Sequence, residues 1–165
     1  SAVPLIHKYD NLLVTQTFSK SRSMAGARLG FCVGSKALIQ DLNTIKYSTN
    51  PYNINRMTMA AGIGALEDRA YFQTNCEAII RTREWTTETL KRLGFTVLAS
   101  KTNFVFAKHP KLPGRALYTA LRERGILVRH FDTPLLTDFN RITIGTDSQM
   151  DTLCDTIGKI LEETL

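Results

Sequence analysis

Apolar and polar positions change rhythm several times along the 165 residues. Asn11 to Phe18 (NLLVTQTF) is rich in apolar and β-branched residues and gives way to the polar Ser19-Lys20-Ser21-Arg22-Ser23, the pattern of a strand running into a loop. A second short strand is predicted at Leu29 to Val33. Gly34-Ser35 then opens a helix in which Leu38, Leu42 and Ile45 recur at helical spacing, with Ser35 as its cap and the turn Ser48-Thr49-Asn50-Pro51 as its end. Asn55 caps a helix carrying Met59, Ala60, Ala61, Ile63 and Leu66, where small residues predict close packing at Gly62 and Gly64.

Neither proline nor glycine interrupts Ala70 to Leu93, and Phe72, Cys76, Ile79, Leu90 and Leu93 form a helical stripe broken by polar residues in its middle. Gly94 suits the position just past the end of this helix, and the lone Trp85 is expected in the core. Strands are then predicted at 95–98, 103–107, 126–130 and 141–144, and a helix at 115–124. Thr146-Asp147-Ser148-Gln149 fits a capping box opening a last helix, whose Met150, Leu153, Ile157 and Leu161 face one way. The later part reads as a small α+β lobe, whereas two strands and two helices before it cannot cover both faces of a sheet. More of that sheet is expected upstream.

With 43% hydrophobic and 22% charged residues the chain excludes global disorder, and 10 glycines and 5 prolines exclude a fibrous chain. No apolar run approaches the roughly 20 residues of a membrane span, and Ser1-Ala2-Val3-Pro4-Leu5-Ile6-His7-Lys8 lacks the layout of a signal peptide, so a soluble, cytoplasmic protein without a membrane partner is expected. The net charge of +6 would suit nucleic acid or small phosphorylated ligands, but the basic residues are scattered and interleaved with acids, which argues against nucleic acid. Cys32, Cys76 and Cys154 have no metal-binding or disulfide spacing and are expected to be reduced and mostly buried; no metal site is predicted.

Chemistry concentrates in Thr17-Phe18-Ser19-Lys20-Ser21-Arg22-Ser23-Met24-Ala25-Gly26-Ala27-Arg28-Leu29-Gly30. A lysine amine forms a Schiff base with an aldehyde, the Thr17 and Ser19 hydroxyls can donate to phosphate oxygens, Arg28 can grip the same phosphate in bidentate fashion, and glycines allow close backbone approach. Together these describe a site for pyridoxal 5'-phosphate. The string T-x-S-K-x5-G-x-R-x-G resembles the active-site lysine segment of the aspartate-aminotransferase-fold enzymes, in particular the histidinol-phosphate aminotransferases. The resemblance continues through Asn50-Pro51-Tyr52-Asn53, Thr102-Asn103-Phe104-Val105, Gly125-Ile126-Leu127-Val128-Arg129 and Arg141-Ile142-Thr143-Ile144-Gly145-Thr146.

What the resemblance implies is specific. Lys20 would be the catalytic, cofactor-bearing residue, with Thr17, Ser19 and Arg28 on the cofactor phosphate. Arg141 would clamp the substrate's α-carboxylate, and Arg129 would help to hold a substrate phosphate, although His130-Phe131-Asp132 departs from the family's usual continuation. The family's partner for the pyridine nitrogen, its ring-stacking aromatic and further phosphate donors lie upstream of Ser1, so the chain is expected to be the carboxy-terminal half of a longer enzyme and inactive alone. The implied fold is α/β: the end of a large, mostly parallel-sheet lobe (1–68), a connecting helix (69–94) and a small α+β lobe (95–165). The implied reaction is transamination between small amino acid or amino-alcohol phosphate and keto acid substrates in a homodimer. Decarboxylation of a phosphorylated amino acid would use the same residues, and a noncatalytic basic binding module is the alternative from another class.

Overall fold

A computed structural model describes residues 1–164, and the chain divides into two compact units, Ser1–Gln73 and the remainder from Thr74 on. The architecture is α/β, and every strand pair in it is antiparallel. In the first unit β1 (Leu13–Thr17) pairs with β2 (Gly30–Gly34), Thr17 lying opposite Gly30. The expected mostly parallel sheet is therefore corrected for these two strands. The segment between them holds only α1 (Phe18–Ser21) and one 3-10 turn (Ala25–Ala27), too little to carry the chain back across the sheet as a parallel crossover demands. A Cβ at Gly30 would lie 2.9 Å from the Gln16 carbonyl oxygen, so glycine permits this close pairing beside the loop.

Two helices follow as their caps predict. The Ser35 hydroxyl accepts the Leu38 N–H at 3.4 Å to open α2 (Lys36–Thr49), and Asn55 Oδ1 accepts the Thr58 N–H at 2.8 Å to open α3 (Arg56–Glu67). Gly62 lets α3 approach Leu29, whose Cδ2 would lie 2.5 Å from an added Cβ, while nothing crowds Gly64, where close packing was also expected. Among the described residues of this unit Phe18 is the one large apolar side chain in the buried class; Leu42, Ile45, Met57, Met59, Ile63 and Leu66 are exposed.

In the second unit β3 (Thr96–Val97), β4 (Phe104–Lys108), β5 (Arg129–His130) and β6 (Asn140–Thr143) form a sheet of order β3-β4-β6-β5. Strand alternation sorts its side chains. Val105, Ala107, Asn140 and Ile142 are buried, Val105, Ala107 and Ile142 packing with Leu117 and Leu121 of α5 (Gly114–Glu123) and Leu153 and Ile157 of α6 (Asp147–Thr164). Phe104, Phe106 and Arg141 alternate with them and belong to the other face. Only Arg129–His130 of the strand expected at 126–130 joins the ladder, because the Ile126 N–H closes the end of α5 on the Leu121 carbonyl.

The long helix α4 (Arg69–Arg92) ends as expected at Gly94, whose φ is +89°: the Gly94 and Phe95 N–H groups return to the Lys91 and Leu90 carbonyls, both at 3.0 Å. Its polar middle is buried. Thr82 donates to the Asp147 carboxylate at the start of α6, Thr86 to the Thr82 carbonyl, and Arg83 to the Thr102 carbonyl at 2.9 Å. Trp85 is not in the core: it is 41% exposed, because the buried side of α4 is taken by Thr82, Arg83, Thr86 and Leu90. The capping box of α6 is formed in both directions, Thr146 N–H to Gln149 Oε1 at 2.9 Å and Gln149 N–H to Thr146 Oγ1 at 3.4 Å.

All three cysteines are free, Cys32 and Cys76 half-buried rather than buried, and Cys154 buried. Burial, with Asp151 and Asp155 adding to it, pushes the Cys154 thiol up to about 11. An alkylating reagent at pH 8 should accordingly leave Cys154 unmodified in the folded protein and modify it in denaturant, as read by peptide mass; labelling at equal rates in both states would show that α6 opens freely. Among the described residues no helix is long and apolar enough to cross a membrane, and no cluster of His, Cys, Asp and Glu could hold a metal ion.

Candidate active site

The loop between β1 and β2 is built by hydrogen bonds that begin at Thr17. Its extended backbone leaves the strand, and its Oγ1 accepts the Ser19 N–H at 3.0 Å, capping the single turn of α1. The Thr17 and Ser19 hydroxyls lie 2.8 Å apart, and the Phe18 N–H donates to the Leu29 carbonyl at 3.0 Å, tying the turn to the chain entering β2. Phe18 points into the unit while Lys20 is exposed, with no hydrogen bond or ion pair from its amine among the described residues. That amine is free for chemistry.

The rest of the loop is held under strain. Ser23 and Arg28 both have φ of 54°, and among the described residues they are the only non-glycine residues with positive φ. The left-handed region costs an ordinary residue roughly 1–2 kcal/mol, and such residues cluster where a site over-determines the backbone. Arg28 Nη1 donates to the Ala25 carbonyl at 3.2 Å. Arg22, given no role by the sequence, donates from Nη1 to the Ala65 carbonyl at 2.5 Å and lays its guanidinium 3.6 Å from the centre of the Phe72 ring, fastening the loop to α3 and to the start of α4. The loop thus carries Thr17, Ser19, Lys20 and Arg28 together. Two hydroxyls, a guanidinium and a free amine are the donor set that a ligand with both a phosphate and an aldehyde requires, so these residues fit pyridoxal 5'-phosphate.

Arg129 and Arg141 meet in the second unit, directly opposite each other on the β5–β6 ladder. Opposed side chains have Cβ atoms about 4.5–5.5 Å apart, and like charges there repel. Neither arginine forms an ion pair among the described residues, and Arg141 Nε is buried without a hydrogen-bond partner. Aromatic rings lie beside them instead: the Arg141 guanidinium is 5.3 Å from the Phe104 ring centre and 5.9 Å from that of Phe131, and the Arg129 guanidinium is 5.3 Å from Phe131. Asp132, nearby in sequence, is engaged by Arg115 of α5, whose hydrogen bond holds its carboxyl below the usual carboxylate range. His130 is buried at its side chain and stacks on Tyr118, and Phe95 lies 5.0 Å from His109, so both histidines pack against aromatic rings. Two unneutralised guanidinium groups side by side form a ready site for an anion with several oxygens.

Phe131 was missed in the sequence, although a signal existed: it stands two residues after Arg129, and such residues on an extended segment share a face.

The chain is 54% identical over 160 residues to histidinol-phosphate aminotransferase of Chromohalobacter salexigens, covering 97% of this chain and 46% of that protein. It thus spans about half the length of the curated relatives it matches. Among solved structures it superposes on histidinol-phosphate aminotransferase of Clostridium acetobutylicum with a TM-score of 0.89 at 26% identity, over 99% of this chain and 49% of that one. The corresponding enzyme of Sinorhizobium meliloti, solved in complex with pyridoxal-5'-phosphate, gives a TM-score of 0.80 at 26% identity over 94% of this chain and 42% of that one. The family model for aminotransferase class I and II matches residues 1–157, and a chain matched over nearly its whole length by that model, with the lysine loop described above, belongs to that family.

Proposed function

We propose that this chain works, within a full-length protein, as the lysine-bearing and substrate-anion-binding part of a pyridoxal-phosphate-dependent aminotransferase acting on an amino acid or amino-alcohol phosphate such as histidinol phosphate. The observation that carries this reading is the Lys20 loop: a free amine next to the Ser19 hydroxyl and three residues beyond the capping Thr17, on the same strained loop as Arg28. The identity to histidinol-phosphate aminotransferases supports the substrate class. When bound, pyridoxal 5'-phosphate supplies an electron sink for the charge that develops at the substrate's Cα.

The protein's own groups do the rest. Thr17, Ser19 and Arg28 would hold the cofactor phosphate, and the Lys20 amine would hold its aldehyde carbon. The Lys20 Nζ, when not engaged by the cofactor, would be the base that takes the substrate's Cα proton and later returns a proton. Arg141 receives the carboxylate of one substrate, and Arg129 helps to receive the phosphate of the other; adjacency on the ladder lets one patch serve both anions in turn. A cytoplasmic homodimer belongs to the same reading, supported by the apolar side chains that α2 and α3 leave exposed.

The direct test is formation of the keto product from histidinol phosphate by the full-length protein supplied with cofactor and a keto acid as amino acceptor. Absence of turnover with phosphorylated and unphosphorylated amino donors alike would overturn the reading. Arg28→Ala should weaken cofactor affinity by roughly 1.5–3 kcal/mol, the scale of a charge-assisted hydrogen bond, while leaving the covalent link possible. Cofactor titration by absorbance reads this, and an unchanged Kd would place the phosphate elsewhere.

A further inference from the structure

We propose that Phe131 is a positioning and specificity-determining residue, its ring the shared platform that holds the Arg129 and Arg141 guanidinium groups converged on one dianion. The inference rests on the function proposed above and extends it to the choice between phosphate and carboxylate. On the face of the sheet turned away from the helical core, Phe106, Arg141 and Arg129 form one cross-strand row, with Phe106 opposite Arg141 and Arg141 opposite Arg129. Two guanidinium groups so placed repel each other, and no carboxylate among the described residues pairs with either. What they share is Phe131, at 5.3 Å and 5.9 Å from its ring centre.

The ring is itself held. Phe131 meets Phe106 edge-on at 6.2 Å, and Phe106 stacks on Phe139 at 4.6 Å and 12°, so the platform is backed by a packed aromatic cluster. A ring face attracts a cation without neutralising it, and so confines two positive groups while leaving their full charge for a ligand, which a carboxylate in the same place would cancel. A dianionic phosphate monoester has enough oxygens and charge to engage both guanidinium groups together, whereas a carboxylate is satisfied by the planar fork of one. Loss of the platform therefore penalises the ligand that needs both.

The test uses the full-length holoenzyme with Phe131→Leu, which removes the ring, Phe131→Met as a second ring-less variant should the first not fold, and Phe131→Tyr, which restores a ring. Inorganic phosphate is the probe in calorimetry, and KM and kcat are measured separately for histidinol phosphate and for the unphosphorylated co-substrate. The ring-less variant should raise both the Kd for phosphate and the KM for histidinol phosphate roughly tenfold, with kcat and the co-substrate's KM changed less than about threefold, and Phe131→Tyr should recover wild-type values within about twofold. Equal losses for both substrates, a fall in kcat at unchanged KM, or no rescue by tyrosine would overturn the role. Phosphate binding is read without turnover: a wild-type protein that does not transaminate but binds phosphate in a Phe131-dependent manner would sink the proposed function and leave the platform standing.

Discussion

Lys20→Ala in the full-length protein should remove the borohydride-reducible attachment of pyridoxal 5'-phosphate and bring turnover down to background. The loop offers no substitute: between Thr17 and Gly30 Lys20 is the sole lysine, and the guanidinium groups of Arg22 and Arg28 are tied to the Ala65 and Ala25 carbonyls. Two functions vanish together, the covalent hold on the aldehyde and the base at Cα. General acid–base catalysis alone is worth roughly 10²–10⁴ in rate, and losing the nucleophile adds to it. The fold should survive, because the Lys20 side chain is exposed and bonds to nothing among the described residues. A variant that keeps a reducible link at any residue of this loop, or that turns over at a tenth of the wild-type rate or faster, would end the assignment. Added small amines should restore some proton transfer without restoring the link, which separates the two functions.

Arg141→Ala should reduce kcat/KM by roughly 10²–10⁴, the loss of two charge-assisted hydrogen bonds at about 1.5–3 kcal/mol each. The loss should appear chiefly in KM, while cofactor absorbance stays normal because Arg141 is assigned to the substrate. Its setting makes the residue hard to replace. Backbone pairing with Phe106 on one side and Arg129 on the other fixes its register, Phe104 and Phe131 flank its guanidinium, and its Nε is buried with no partner among the described residues. Arg141→Lys keeps the charge but presents a point rather than a fork, so it should recover at most about a tenth of the lost efficiency. Unchanged kinetics in Arg141→Ala would make the residue a structural member of β6.

Much of this could be read from residue patterns, for reasons that differ by element. The caps at Ser35, Asn55 and Thr146–Gln149 and the glycine stop at Gly94 are local devices, satisfied within four or five residues, and local chemistry is enough to predict them. The grouping of Thr17, Ser19, Lys20 and Arg28 was visible for the same reason: it is one loop. Contacts between distant segments hid the remainder. Nothing in the sequence around Arg28 or Ser23 signals a left-handed backbone, and the buried Arg83 looks like any polar residue until its guanidinium finds the Thr102 carbonyl. Trp85 was expected inside as a lone tryptophan although it lies off the stripe of Phe72, Cys76, Ile79, Leu90 and Leu93, whereas Thr82 and Thr86 bury themselves by donating to Asp147 and to a backbone carbonyl. The direction of strand pairing depends on what fills a connection, and the connection between β1 and β2 is too short for a crossover.

The position of Trp85 also decides how the molecule reports on itself to light. It is the chain's sole tryptophan, and its indole is already 41% open to solvent on the outer side of α4. With its indole already partly solvated in the folded state, unfolding should change its emission less than it would for a buried tryptophan, so intrinsic fluorescence gives a weak signal of unfolding. The aromatic and arginine-bearing face built from Phe104, Phe106, Phe131 and Phe139 with Arg129 and Arg141 adds no competing signal at tryptophan wavelengths. Near-ultraviolet dichroism in the phenylalanine band, where the stacked Phe106 and Phe139 rings sit in a fixed chiral setting, is the optical handle that this half of the chain provides.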